Sequence, residues 1–209
     1  EKQFLELVDL LKIPVLSTFN GMDLISSQSD YFIGRIGTLG SRAGNFALQN
    51  ADLIIFLGTR NNIRQVSYNW DSFARYAKKI IVDIDYAELH KKTVKGDLLI
   101  QTDAKVFINK LSAAIPKSFN IDKKWKEWCL LRKNKYPVVL NEHKAPNKNS
   151  VNPYFFIEEL TTMMDKNGIF VAANGSACVV LFQAGNVKSG QRFIYNSGCA
   201  SMGYALPAS

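Results

Sequence analysis

The stretch GRIGTLGSRAGNFALQNADLIIFLG, Gly34 to Gly58, decides the fold. It ends in a continuous apolar run, DLIIFLG, from Asp52 to Gly58. No polar residue alternates within that run, so it reads as a strand covered on both faces, the habit of parallel sheets. Just before it, RAGNFALQNA reads as a short helix, and before that stands a glycine run. Gly34, Gly37 and Gly40 recur at every third position and Gly44 follows. Glycine lets backbone come close to a neighbour or adopt positive φ. A glycine loop opening a helix suits a ligand phosphate at the helix N-terminus. The spacing here is GxxGxxGxxxG, not GxGxxG, and tight turns with close helix–sheet packing explain it equally.

The same alternation extends in both directions. Phe4, Leu7, Val8 and Leu11 recur at helical spacing and lead into the strand IPVLSTF, Ile13 to Phe19. After Gly58, DSFARYA (Asp71 to Ala77) reads as helix, KIIVDID (Lys79 to Asp85) as buried strand and LLIQT (Leu98 to Thr102) as a shorter strand. DAKVFINKLSAAI, Asp103 to Ile115, reads as an amphipathic helix with Val106, Leu111 and Ile115 inward. Alternating strands and helices predict an α/β fold with a doubly wound parallel sheet over residues 1–116.

Residues 117–150 differ in composition. DKKWKEWCLLRKNK (Asp122 to Lys135) puts Trp125, Trp128, Cys129 and Arg132 on one helical side, expected to lie along the preceding domain. VVLNEHKAPNKNS (Val138 to Ser150) reads as linker. A further α/β segment, 151–209, opens with Asn152 as N-cap and Pro153 at the first helical position, with Ile157, Leu160 and Met164 inward. GIFVAAN (Gly168 to Asn174) and RFIYNSG (Arg192 to Gly198) read as its strands. Two strands do not complete an α/β domain, so this segment is expected to be incomplete and the chain a fragment.

Composition narrows the function. Nine Lys or Arg against three acids lie between Lys117 and Ser150, which places most of the +8 net charge in the connecting stretch. A solvated face accounts for that better than a nucleic-acid stripe. No apolar run approaches bilayer length, so no membrane span is expected. Three separated cysteines and two histidines favour neither a disulfide framework nor a zinc site, and a reducing cytoplasm is the expected setting.

Polar residues at the predicted strand ends are the site candidates. Arg60 and Arg64 in GTRNNIRQ lie where ligands of open α/β sheets bind, with Asn61 and Asn62 between them; ordinary solvated loop polarity is the alternative, and for Arg64 the favoured one. Asp83 and Asp85 end the next strand, where an acid accepts from ribose hydroxyls; capping of the following helix is an equal reading for Asp85. His90 and His143 stand alone and read as surface residues. No catalytic residue and no metal ligand is assigned. Cys199 and Ser201 have no base nearby and read as small packing residues.

Taken together, these stretches resemble thiamine-diphosphate enzymes of the acetolactate synthase type. GRIGTLGSRAGNFALQNADLIIFLGTRNNIRQ, KIIVDIDYAEL and QTDAKVFINKL are similar to that family's central domain. VNPYFFIEEL and NSGCASMGYALPAS resemble the start of its third domain. The resemblance implies a three-domain 2-oxo acid decarboxylase or carboligase, a homo-oligomer (dimer or tetramer), using thiamine diphosphate and Mg²⁺. It implies that Asn174, Gly175 and Ser176 approach the diphosphate, that Ala200, beside Ser201, contacts the aminopyrimidine through its backbone, and that Met202 lies beneath the bent cofactor. Central domains of this family hold FAD, ADP or nothing; where a nucleotide is held, Gly34, Gly37, Gly40 and Arg60 approach its diphosphate. Acetolactate synthases read Gly-Gln-His where this chain reads Gly175-Ser176-Ala177, which shifts contact there to backbone and hydroxyl. The activating glutamate domain and the Gly-Asp-Gly metal element are not in these residues, so the chain alone is expected to be inactive. Two alternatives share the central sheet: a non-catalytic FAD- or ADP-binding module, and an NAD enzyme similar to deoxyhypusine synthase or a sirtuin. A sirtuin's paired CxxC ligands do not occur here.

Overall fold

The computed structural model describes residues 1–116, 118–146 and 149–209. Lys117 and Lys148 of the basic stretch lie outside the described residues. The elements in order are α1 (Lys2–Leu11), β1 (Val15–Ser17), β2 (Phe32–Arg35), α2 (Arg42–Asn50), β3 (Leu53–Leu57), α3 (Ile63–Val66), β4 (Lys78–Asp83) and α4 (Tyr86–His90). Then come β5 (Leu98–Gln101), α5 (Ala104–Ala114), α6 (Lys123–Lys135), α7 (Pro153–Met163), β6 (Ile169–Ala172), α8 (Ser176–Ala184), β7 (Arg192–Tyr195) and α9 (Ala205–Ala208). The molecule is α/β, and every strand pairing is parallel.

The strands fall into three short sheets, β1-β2, β3-β4-β5 and β6-β7. β1 and β3 share no ladder, yet Leu16 of β1 packs on the core formed by Phe56, Phe73, Ile81 and Leu89. Parallel pairing brings the strand ends that carry polar residues to one side. Helix starts follow from local chemistry: Ser41, Asn62, Asp85, Asp103, Asp122 and Asn152 each accept a first-turn amide.

Four local expectations change. Phe32–Arg35 is a strand, so Gly34 lies in a ladder and not in a loop. Asp71–Ala77 is not a helix. A 3-10 turn at Trp70–Ser72 gives way to Ala74, whose φ of 46° breaks the helical path and whose amide donates to Gln49 Oε1. In α5, Ile108 is buried and Val106 is exposed. The largest omission is α8, whose SACVVLFQA buries Cys178, Val180, Leu181, Phe182 and Ala184.

α6 lies against α2, with Cys129 fully buried among Ile33, Ala43 and Ala47, and Trp125 and Trp128 packed beside it. The 151–209 segment closes on the first through aromatic contacts. Phe19 stacks on Phe182 at 4.2 Å and meets Tyr195 edge-on at 4.9 Å, and the Tyr195 hydroxyl donates to Phe19 O. Arg35 completes this junction. It is 5% exposed, donating from Nη1 to Gln183 O at 3.1 Å and from Nη2 to Gly185 O at 2.7 Å. It thereby holds the carbonyl end of α8, where a cation is favoured. Burial lowers its guanidinium to about 10. Among the described residues no helix is long and apolar enough to cross a membrane.

Candidate functional site

Two groups of predicted residues occupy strand ends. The first surrounds the glycine run. A Cβ on Gly40 would stand 2.5 Å from Arg35 O and 2.6 Å from Ile36 C. One on Gly37, whose φ is 112°, would stand 2.5 Å from Arg64 O. One on Gly34 would stand 3.0 Å from Gly44 N and press on Ser41 Oγ. The space these glycines free is thus taken by the protein's own backbone. Asn45 fixes the turn by accepting from Gly37 N and donating to Gly37 O, both at 3.0 Å. Thr38 N donates to Arg64 O at 2.9 Å and ties the loop to the β3 end. The void beside it, lined by Ile36, Leu39, Gln65 and Phe182, measures about 10 Å³, room for a single water.

Arg60 does not face an open phosphate position. Its Nε and Nη2 both donate to Glu88 Oε1, at 3.0 and 2.8 Å, while Lys91 Nζ bonds Glu88 Oε2 at 2.6 Å and also Arg60 O. Lys91 first, then Arg60, hold the Glu88 carboxyl below its ordinary value against its own burial. Asp83 is buried and accepts from Asp85 N; Asp85 caps α4 through Ala87 N at 2.8 Å. This geometry favours the packing reading of the glycines and the capping reading of Asp85, and it lends no support to an FAD or ADP site.

The second group is open. Gly175 has φ of 70° with nothing within 4 Å of a built Cβ, and it starts α8 with no side-chain cap. The first-turn amides of α8 therefore have no side-chain acceptor, and Ser176 is exposed beside them. Asn174 Nδ2 donates to Ala200 O, joining the end of β6 to the loop after β7. Ala200 has φ of 54° and Gly203 of 81°. Ser201 is exposed, and Met202 is 88% exposed at the rim.

Arg64 is the residue that sequence reasoning undervalued. Its guanidinium has no hydrogen-bond or ion-pair partner among the described residues, and its charge is felt by Cys178 in the first turn of α8. No sequence spacing links position 64 to position 178; the fold brings Arg64 to α8, where it lines one small void with Phe182. Arg35 was missed as well, although a lone charge inside the apolar FIGRIG was the available sign. His90 is exposed, whereas His143 is half-buried, stacking on Tyr154 at 5.4 Å. Among the described residues no group of three His, Cys, Asp or Glu is placed to hold a metal ion.

The thiols divide cleanly. Cys129 and Cys178 are buried; burial pushes the Cys129 thiol up to about 12 and raises Cys178 too. Cys199 is exposed. Native protein is expected to react quickly with a disulfide reagent at one thiol and to release the other two only in guanidinium. Two or three fast thiols would contradict this packing.

Comparison with known proteins matches this sequence to a family. Residues 1–111 match the family described as thiamine pyrophosphate enzyme, central domain. Over 97% of its length the chain is 32% identical to the acetolactate synthase large subunit of Pyropia yezoensis, covering 34% of that protein. It is 32% identical to the acetolactate synthase of Mycobacterium bovis over 99% of the chain and 33% of the relative. It is 28% identical to a probable acetolactate synthase large subunit of Methanococcus aeolicus over 99% of the chain and 36% of the relative. The chain therefore spans about a third of the length of these curated relatives. Those matches run through the open loops at Asn174 and Ala200 as well as the parallel sheets before them, and this chain belongs to the thiamine pyrophosphate enzyme family.

Proposed function

We propose that this chain is the central domain and the opening of the cofactor domain of an enzyme that decarboxylates a 2-oxo acid, or ligates the resulting fragment to an acceptor, with thiamine diphosphate and Mg²⁺. The observation that carries the reading is the Asn174–Ser176 loop, open at an uncapped helix N-terminus and bonded to Ala200. Those residues fit a diphosphate. Unclaimed amides and a helix dipole favour an anion there, and positive φ at Gly175 leaves room for close approach. When bound, the cofactor supplies the electron sink for decarboxylation, and the protein supplies orientation and a dry site.

The chain's own residues then have separate tasks. The first-turn amides of α8 and the Ser176 hydroxyl donate to the diphosphate. Asn174 sets the Ala200 carbonyl, which keeps a second lone pair for the aminopyrimidine. Met202 provides an apolar surface beneath the cofactor. Arg64, a cation without a partner near α8, is suited to a substrate carboxylate. The reading puts Mg²⁺ on residues outside this sequence and makes the whole enzyme a homodimer or homotetramer.

Titration of the full-length polypeptide with thiamine diphosphate and Mg²⁺ tests this. Saturable binding and CO₂ release from a panel of 2-oxo acids are expected. Asn174→Ala is expected to weaken cofactor binding about tenfold, the value of one hydrogen bond in a partly buried site. A full-length protein with no affinity for the cofactor would sink the reading.

A further inference from the structure

A cleft of about 430 Å³ opens where three parts of the chain meet. Phe32, Arg35 and Ser41 come from the β2–α2 region, Lys133 from α6, and Gln183 and Gly185 from α8 and the residue after it. Of the residues named above for a cofactor or substrate, Gly34 lines it, and the space a side chain there would take is filled by Ser41 and Gly44; none of the thiamine diphosphate residues borders it.

Its charges do not balance. Arg35 is buried and its hydrogen-bonding partners are the carbonyls of Gln183 and Gly185; Nε is buried with no partner at all. Lys133 donates to Ser27 O at 3.1 Å and to Phe32 O at 2.7 Å, which leaves its third N–H free. Among the described residues no carboxylate lies within ion-pair distance of either cation. Glu158, the acid on the wall, is committed to Lys144 at 2.8 Å. Asp30 acts on Lys133 only at longer range. Burial, and the charge on Arg35, lower the Lys133 ammonium from its ordinary value. Two like charges, one buried and one half-buried, without a counter-ion are costly, and both border one cavity.

We propose that this cleft binds a phosphate group, free or carried on a small molecule, against Lys133 and beside Arg35. A phosphate matches two cations better than a monoanion does: its oxygens would accept from the free N–H of Lys133 Nζ, while the buried Arg35 guanidinium adds its charge from the cleft wall. Because the walls come from all three parts of the chain, an occupied cleft also braces their packing. This site is independent of the thiamine diphosphate reading.

Calorimetric titration of the purified protein with inorganic phosphate and with glycerol 3-phosphate tests it, with chloride at matched ionic strength as control. Saturable binding of at least one of the two is expected, together with a higher unfolding temperature that chloride does not reproduce. Binding of both marks the phosphate group alone as the recognised element; binding of the ester alone marks a carried phosphate. Lys133→Met is expected to weaken binding at least tenfold, and Lys133→Arg to restore most of it. Asn134→Asp places a negative charge on the rim without removing a hydrogen bond of the fold, and it is expected to weaken binding too. Absence of saturable binding, or affinity in Lys133→Met and Asn134→Asp equal to that of the unaltered protein, would overturn the proposal.

Discussion

Arg35→Ala is expected to lower the unfolding temperature by roughly 10 °C. The guanidinium is 5% exposed and makes two charge-assisted bonds to carbonyls at the end of α8. Its removal leaves Gln183 O and Gly185 O buried without that donor. Each such orphan costs about 1–3 kcal/mol. The planar group also lies against Phe32 and Phe182, 5.5 and 5.8 Å from the ring centres, so truncation opens a void between aromatic faces. Set against this is the relief of desolvation that already lowers Arg35 to about 10. That relief returns only part of the loss, because the carbonyls stay buried. A net loss of about 3–4 kcal/mol corresponds to the stated shift, at about 2–4 °C per kcal/mol for a chain of this size. Arg75→Ala, at an exposed position whose contact is the Tyr76 ring, is expected to change stability by less than about 0.5 kcal/mol. Differential scanning calorimetry separates the two. Equal effects would show that Arg35 does not anchor the α8 end.

What the sequence revealed and concealed has a physical pattern. β3, β4 and β5 were legible as short apolar runs, although only the end of β4, the middle strand, and Phe56 of β3 are buried; Leu53 and Leu98, which open the two edge strands, are exposed. α7 was legible from Asn152, Pro153 and an inward stripe. α8 was not, because a helix buried on most sides has no polar face and therefore no period to read. β2 was hidden by its own glycine and arginine, both poor strand signals. The site shows the same division. Asn174 to Ser176 and Ala200 to Met202 were named as candidates by resemblance, since they lie in two short motifs. The Asn174–Ala200 bond spans 26 positions and the Arg35–Gly185 bond spans 150, and no local pattern encodes either. The glycine run was readable as glycine and undecided as to purpose, because phosphate binding and backbone packing require the same missing Cβ.

Gly44→Ala decides that question with an effect opposite in sign to helix propensity. Gly44 lies inside α2, where alanine is ordinarily favoured by about 1 kcal/mol. A ligand-binding glycine at this position would therefore become more stable as alanine in the absence of ligand. The geometry predicts the reverse. A Cβ here would stand 2.9 Å from both the carbonyl carbon and the amide nitrogen of Arg35, and closer still to its oxygen. All three are backbone atoms, so no side chain can rotate away. α2 would have to lift from β2, which would also strain the bond from Gly44 N to Ser41 Oγ at 3.1 Å and disturb the strand that carries Arg35. Overpacking of this kind costs about 1–3 kcal/mol, and three backbone contacts under 3 Å put Gly44 at the upper end, against which the propensity gain returns about 1 kcal/mol. A net destabilisation of about 2 kcal/mol is expected by urea unfolding. Gly198→Ala supplies the contrast, since no atom lies within 4 Å of its built Cβ and its φ is not positive. There the stiffer unfolded chain is disfavoured, and a change between zero and about 1 kcal/mol of added stability is expected. If Gly44→Ala proved as stable as Gly198→Ala, close packing of α2 on β2 could not be the reason for glycine at position 44, and the loop would again be open to a ligand.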